Sequence, residues 1–231
     1  MSQENKPRKM SQPNERNIMK LFSKLILWVS LCSMAGAALA EVSAPDMLIK
    51  NSVQEILAIV KQDKDIRAGD QKKILALVDA KVLPHFDFER MTQLAVGKHW
   101  RTASAEQRRA LVTEFRNMLV RTYTKVFAVY SDQTIEVKPL KMETGVLDEA
   151  TVKTLIKKPG AQPILVDYEM RKSDTAWKVF DISIEGVSMV MSYRGTFNSQ
   201  IQQAGIDGLI KALSDKNTNS AESDLKKVDA K

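Results

Sequence analysis

One cysteine, two histidines and nine glycines in 231 residues remove several kinds of chemistry. Cys32 is the lone cysteine, and it sits in an N-terminal segment that reads as a removable leader. The rest of the chain therefore has no disulfide, thiol nucleophile or thiolate metal ligand. His85 in "PHFDF" and His99 in "KHW" have no partner at metal-ligand spacing, and each suits a helix end. No G-x-S-x-G elbow occurs, because Gly186-Val187-Ser188 lacks the second glycine. A Walker loop and a dinucleotide fingerprint are also missing.

Excess charge is scarce too. The formal charge is +7, but six of the 35 basic and two of the 28 acidic residues lie in 1–40. Residues 41–231 are left with 29 against 26, a surplus of +3 that is no footprint for nucleic acid. Nor does the chain contain a long enough apolar run to suggest a membrane span. The apolar stretch Leu25–Ala40 falls short of the roughly 18–20 residues a spanning helix needs. With Lys20 and Lys24 before it and Ala38-Leu39-Ala40 behind it, that stretch reads as a secretory signal cleaved before Glu41. Met10 or Met19 would serve as start, and Leu31 is too bulky for a lipidation signal at Cys32. The expectation is a protein exported to the periplasm.

What is present is patterned apolar surface. Ile49, Val53, Ile56, Leu57 and Val60 follow helical spacing over 46–62, up to a polar break at 61–65 and Gly69. Asp70 is placed to cap a helix carrying Ile74, Leu77, Val78 and Val82 that stops at Pro84. Asp87 does the same for a short helix with Phe88, Met91 and Leu94, closed by Gly97. Ser104-Ala105-Glu106-Gln107 is a capping box that opens the longest helix, about 104–130. Its stripe of Leu111, Phe115, Met118, Leu119, Val126 and Val129 runs beside a second one of Val112, Val120, Tyr123, Phe127 and Tyr130. Together they are wider than one flat contact requires.

Four strands follow, around Ile135 and Val137; Val152 and Ile156; Ile164, Val166, Tyr168 and Met170; and Trp177 to Ile184. In the last, Trp177 and Val179 share one face while Phe180, Ile182 and Ile184 reach the other, so it is covered on both sides or bulged. Short links imply an antiparallel meander. Gly186 is expected to end the sheet, with Val187, Val190, Arg194, Phe197 and Ile201 on a helix. Gly205 is expected to break the chain before a short helix carrying Ile206, Leu209, Ile210 and Leu213, and 214–231 to form a disordered polar tail. The fold class is α+β: a four-stranded antiparallel meander packed with several helices, one domain over 41–213.

Two features bear on function. Lys98, Arg101, Arg108 and Arg109, with Arg116, Arg121 and Lys125, cluster around the long helix, as a solvated face or as a rim for phosphate headgroups or an acidic partner. Tyr123, Tyr130, Tyr168, Trp177 and Tyr193 fall near helix–sheet contacts, where they either fill a core or border a slot. Spacing does not separate those two.

Three blocks resemble the MlaC family of periplasmic phospholipid-binding proteins, also called toluene-tolerance proteins. They are "AVGKHWRTASAEQRRALVTEFRNMLVRTY" (95–123), "VDYEMRK…WKVFDISIEGVSMVMSYRGTF" (166–197) and "IQQAGIDGLIKAL" (201–213). The resemblance implies a helix-and-sheet shell around a deep apolar pocket that takes acyl chains and leaves the headgroup near the mouth. It also implies shuttling of lipid between an outer-membrane lipoprotein–porin complex and an inner-membrane MCE-protein–ABC transporter, which maintains outer-membrane asymmetry. No enzymatic activity, metal or cofactor is implied, the lipid being cargo; the carrier is expected to be a monomer.

Strand and helix phase then assign Phe115, Leu119, Tyr123, Ile135, Val137, Val152, Val166, Tyr168, Trp177, Val187, Val190 and Tyr193 to the lipid. Lys98, Arg101, Arg108 and Arg109 are assigned to a headgroup or partner rim. Two other readings compete. One is a small pocket enzyme on a cone-shaped α+β fold with Asp181 or Asp167 as base; the other is a chaperone for lipoproteins.

Overall fold

The computed structural model describes residues 43–127, 133–140 and 148–228. The leader of 1–40, its cleavage after Ala40, the expected helix end at 128–130 and the last three residues lie outside them. Helices form where the cap signals stand. Helix α1 (Pro45–Gln62) has proline in its first turn, where the missing N–H is not needed. Asp63 accepts from the Asp65 and Ile66 amides to start the single turn α2 (Lys64–Arg67). Asp70 accepts from the Lys73 amide at 3.0 Å to start α3 (Gln71–Lys81), and a 3-10 turn follows over Leu83–His85. Asp87 caps α4 (Phe88–Val96), and Gly97 ends it at φ +63. A Cβ there would lie 3.1 Å from Arg194 Nε, so both conformation and space favour glycine.

After the 3-10 segment Gly97–Arg101 the capping box closes in both directions. The Gln107 amide donates to Ser104 Oγ at 3.1 Å, and the Ser104 amide donates to Gln107 Oε1 at 3.0 Å. These bonds open the long helix α5 (Ala105–Phe127).

The sheet corrects the expectation of four strands. It has five, in sequential antiparallel order: β1 (Thr134–Val137), β2 (Glu149–Lys157), β3 (Ile164–Lys172), β4 (Trp177–Ile184) and β5 (Val187–Ser188). The fifth strand exists because Glu185 and Gly186 both take positive φ, 49° and 79°. That is the two-residue turn that sends a strand straight back, so Gly186 prolongs the sheet instead of ending it. Ser188 then caps α6 (Met189–Val228) by accepting from the Met191 amide at 2.9 Å.

A register shift at Glu169/Met170 leaves Phe180 unopposed in β4. This bulge rephases the strand. Val179, Ile182 and Ile184 reach the same cavity, while Phe180 turns to the helices. On the other face Lys153 pairs with Asp167 at 3.0 Å and Glu136 pairs with Lys138 and Lys157, which pull its carboxyl down to about 2.

At Gly205 (φ 73°, ψ −179°) the backbone leaves helical geometry, so α6 is two helices that meet at a kink, the break expected there. The segment expected to be a disordered tail from 214 begins as ordered helix. Asn217 is buried, and its Nδ2 donates to the Glu114 carbonyl at 3.0 Å and to Oε2 at 2.7 Å, which ties α6 to α5.

Buried side chains gather in three groups. One joins α4, α5 and α6 with Phe180; one joins α1 to the sheet through Ile49, Val152, Met170, Trp177 and Val179; one joins α1, α2 and α3 through Val60, Ile66, Ile74, Leu77 and Val78.

Candidate functional site

The three groups do not fuse. Where they meet, the structure holds a cavity of about 300 Å³ whose wall takes residues from each: Ile49 and Val179, Val60 and Val78, Met91 and Leu119. The volume lies at the lower end of the roughly 300–1,000 Å³ usual for ligand pockets.

Each element supplies the wall in its own period. From α1 come Ile49, Val53, Ile56, Leu57 and Val60, the stripe read from spacing alone. From α5 come Leu119, Val120, Tyr123 and Thr124, one face over two successive turns. The sheet gives Ile135, Ile156, Val166, Tyr168, Val179, Ile182 and Ile184, every one on the face opposite the Lys153–Asp167 pair. The segment Val82–Phe86, with Phe88 and Met91, closes a further side.

Polar groups in this wall are few and mostly occupied. The Thr124 hydroxyl donates to the Val120 carbonyl, and Lys81 Nζ pairs with Glu55 at 2.6 Å. Burial first, and Lys178 second, push the pKa of His85 below its ordinary value, so the ring is neutral at pH 7. Tyr123 hydrogen-bonds Tyr193 behind it, whose phenol burial and that bond push up to about 12.

Among the described residues no carboxylate lines the cavity. Asp181 faces elsewhere, and its oxygens are taken: Oδ1 accepts from the Ile182 and Val190 amides at 2.8 and 3.1 Å, and Oδ2 from the Ser188 hydroxyl. It braces the β4–β5–α6 corner. Asp167 is across the sheet. No group of three or more His, Cys, Asp or Glu among the described residues could hold a metal ion. The arrangement offers apolar burial.

The sequence-assigned residues divide. Leu119, Tyr123, Ile135, Val166 and Tyr168 come together on the cavity wall. Phe115 and Val190 are fully buried among the helices, with Tyr193 packed beside them. Val152 and Trp177 are buried between α1 and the sheet, with Val137 alongside. Val187 is 64% exposed on β5. The basic set is not on the cavity wall. Lys98, Arg101 and Arg109 are exposed, and Arg108 holds the 3-10 turn, donating from Nε to the Trp100 carbonyl at 3.0 Å and stacking on the Trp100 ring. Sequence reasoning omitted α1 and the 82–88 segment from the lining. The α1 stripe was a usable signal; the 82–88 turn carried none.

This geometry has known relatives. Residues 50–215 match the family model described as MlaC protein. The intermembrane phospholipid transport system binding protein MlaC of Haemophilus influenzae is 25% identical over 199 residues, covering 85% of this chain and 92% of that one. The toluene tolerance protein ttg2D of Pseudomonas putida is 22% identical over 180 residues, covering 77% and 83%. Among solved structures, the phospholipid-binding protein from Ralstonia solanacearum, in complex with a phospholipid, superposes with a TM-score of 0.71. It is 33% identical, and the match covers 78% of this chain and 99% of that one. The chain belongs to the MlaC family.

Proposed function

We propose that this protein is a periplasmic carrier that buries phospholipid acyl chains in the cavity between α1, α5 and the sheet. The observation that carries the reading is the cavity wall itself, apolar from three directions and free of carboxylates among the described residues. Relatives named for phospholipid binding and transport, one of them in complex with a phospholipid, support the cargo class.

The physical need is plain. A two-chain lipid has on the order of 30 methylenes at roughly 0.8 kcal/mol each, so free passage through water is forbidden. A dry slot replaces the lost burial, and the absence of covalent chemistry keeps delivery reversible. Leu119, Tyr123, Ile135, Val166 and Tyr168 are the residues we assign to chain contact.

In this reading the chain is exported after cleavage at Ala40 and works as a monomer. It exchanges lipid with an outer-membrane lipoprotein–porin complex and an inner-membrane MCE-protein–ABC transporter, which maintains outer-membrane asymmetry. Organic-solvent extraction of the purified processed protein, followed by mass spectrometry, tests it. Stoichiometric phospholipid is expected. Recovery of acylated peptide instead would make the protein a lipoprotein chaperone, and recovery of a small metabolite would favour the pocket enzyme.

A further inference from the structure

The apolar wall carries one imidazole. Its titratable residues are Lys81, His85, Tyr123 and Tyr168, and of these side-chain types only histidine gains or loses charge between about pH 5 and 8. His85 is half-buried in the turn that links α3 to the sheet side of the cavity. Three elements bring charges to it. Helix α1 supplies Glu55 and β4 supplies Lys178, both close enough to act on the ring, and α3 supplies Lys81, which shares the wall with it. Two residues along the chain, Asp87 is paired with Arg171.

None of these groups is free to receive a second cation. Glu55 already holds Lys81 Nζ at 2.6 Å, and Lys178 Nζ donates to the carbonyl of Pro84, the residue before His85. The backbone on either side of the ring is fixed as well. The His85 amide donates to the Val82 carbonyl at 3.0 Å, and the Asp87 amide to the Val179 carbonyl at 2.8 Å. A protonated ring cannot retreat by shifting its backbone without breaking those bonds. It stays in an apolar wall as the third cation around a single carboxylate, a costly place for a charge.

We propose that His85 is a proton-operated release switch for the cavity. Neutral, it completes the wall between α1 and the Val82–Phe86 turn; protonated, it forces that seam apart and loosens the cargo. The inference rests on the acyl-chain reading above. Linkage adds a reciprocal consequence: cargo that seals the seam keeps the ring neutral, so a loaded molecule takes up the proton at a lower pH than an empty one.

The test uses the processed full chain, its His85→Gln variant and its Lys178→Met variant. Each is loaded with dioleoyl phosphatidylcholine, whose headgroup keeps its charge state over the range, and transfer to acceptor vesicles is timed from about pH 7.5 to about pH 5. Near-UV circular dichroism in the same buffers counts the folded molecules. Wild type should lose lipid about tenfold faster at the acid end, within the usual span of coupling between two sites. His85→Gln should show a flat profile. Lys178→Met removes a repelling cation, so the acceleration should set in at a higher pH, a displacement that a purely packing role for His85 does not produce. Equal loss from folded wild type at both ends, or acceleration that persists in His85→Gln, overturns the switch. If wild type retains no phospholipid even at pH 7.5, the acyl-chain reading fails. The same three profiles, measured with the uncharged apolar dye Nile red in delipidated protein, then decide the switch.

Discussion

Helix α5 runs through two environments with one kind of side chain. Toward its N-terminal half, Phe115 is sealed, with the Phe197 ring 5.2 Å away and the Tyr193 ring 5.4 Å away, both edge-on. One turn later Leu119 belongs to the same buried group yet borders open space. Residue type does not distinguish them. What stands opposite does: α6 brings aromatics to Phe115, while Leu119 looks across to a sheet whose own inner face is already braced by α1. Stability resides where two elements interdigitate, and capacity where three fail to close.

Breaking that contrast gives the largest expected effect. Phe115→Ala should cost about 3–5 kcal/mol in urea denaturation, the range for deleting a buried ring from a packed core. Lipid held per folded molecule should change far less, which chromatography of the folded fraction with lipid analysis will show.

Val166→Phe sharpens the contrast from the other side. The added ring enters free volume, so the urea midpoint should stay close to wild type. It displaces about three methylenes of cargo, roughly 2 kcal/mol of burial, so retention should fall by tens of fold in a vesicle transfer assay. Collapse of stability with retention intact would invert the assignment of wall and core.

The smallest effect is a pH slope. His85 has a lowered folded-state pKa, so between about 6.5 and that value the unfolded chain binds a proton the folded chain does not. Stability should therefore be complete above about pH 6.5 and decline as pH falls. Thermal melts of wild type and His85→Gln should differ in slope there and coincide above it.

Much of this was legible in the chain. Asp70, Asp87 and Ser104 sit where their carboxylates and hydroxyl accept amide protons, because capping is local and needs only a few residues. The alternation of Val166, Tyr168 and Met170 fixed one face of β3 for the same reason. What was hidden depended on backbone or partners. Glu185 at positive φ is unusual for a residue with a side chain, so nothing in "IEGVS" announced a turn that returns Val187 to the sheet. A bulge in the last strand was one of two expected alternatives, but its place at Phe180, which sets Ile182 and Ile184 on the face of Val179, depended on the partner strand. Phe115 and Leu119 share one stripe, and only the elements that pack against it decide which is core.

The short closures along β4 have a consequence for how this molecule meets its own copies. Its outer margin is interrupted three times. The Asp87 amide donates to the Val179 carbonyl at 2.8 Å, the Asp181 carboxylate takes the Ile182 amide, and β5 covers Ser183 and Ile184. No continuous ladder of unpaired amides and carbonyls remains there to template a strand from another chain. Along this margin the molecule meets its neighbours with its backbone already spoken for.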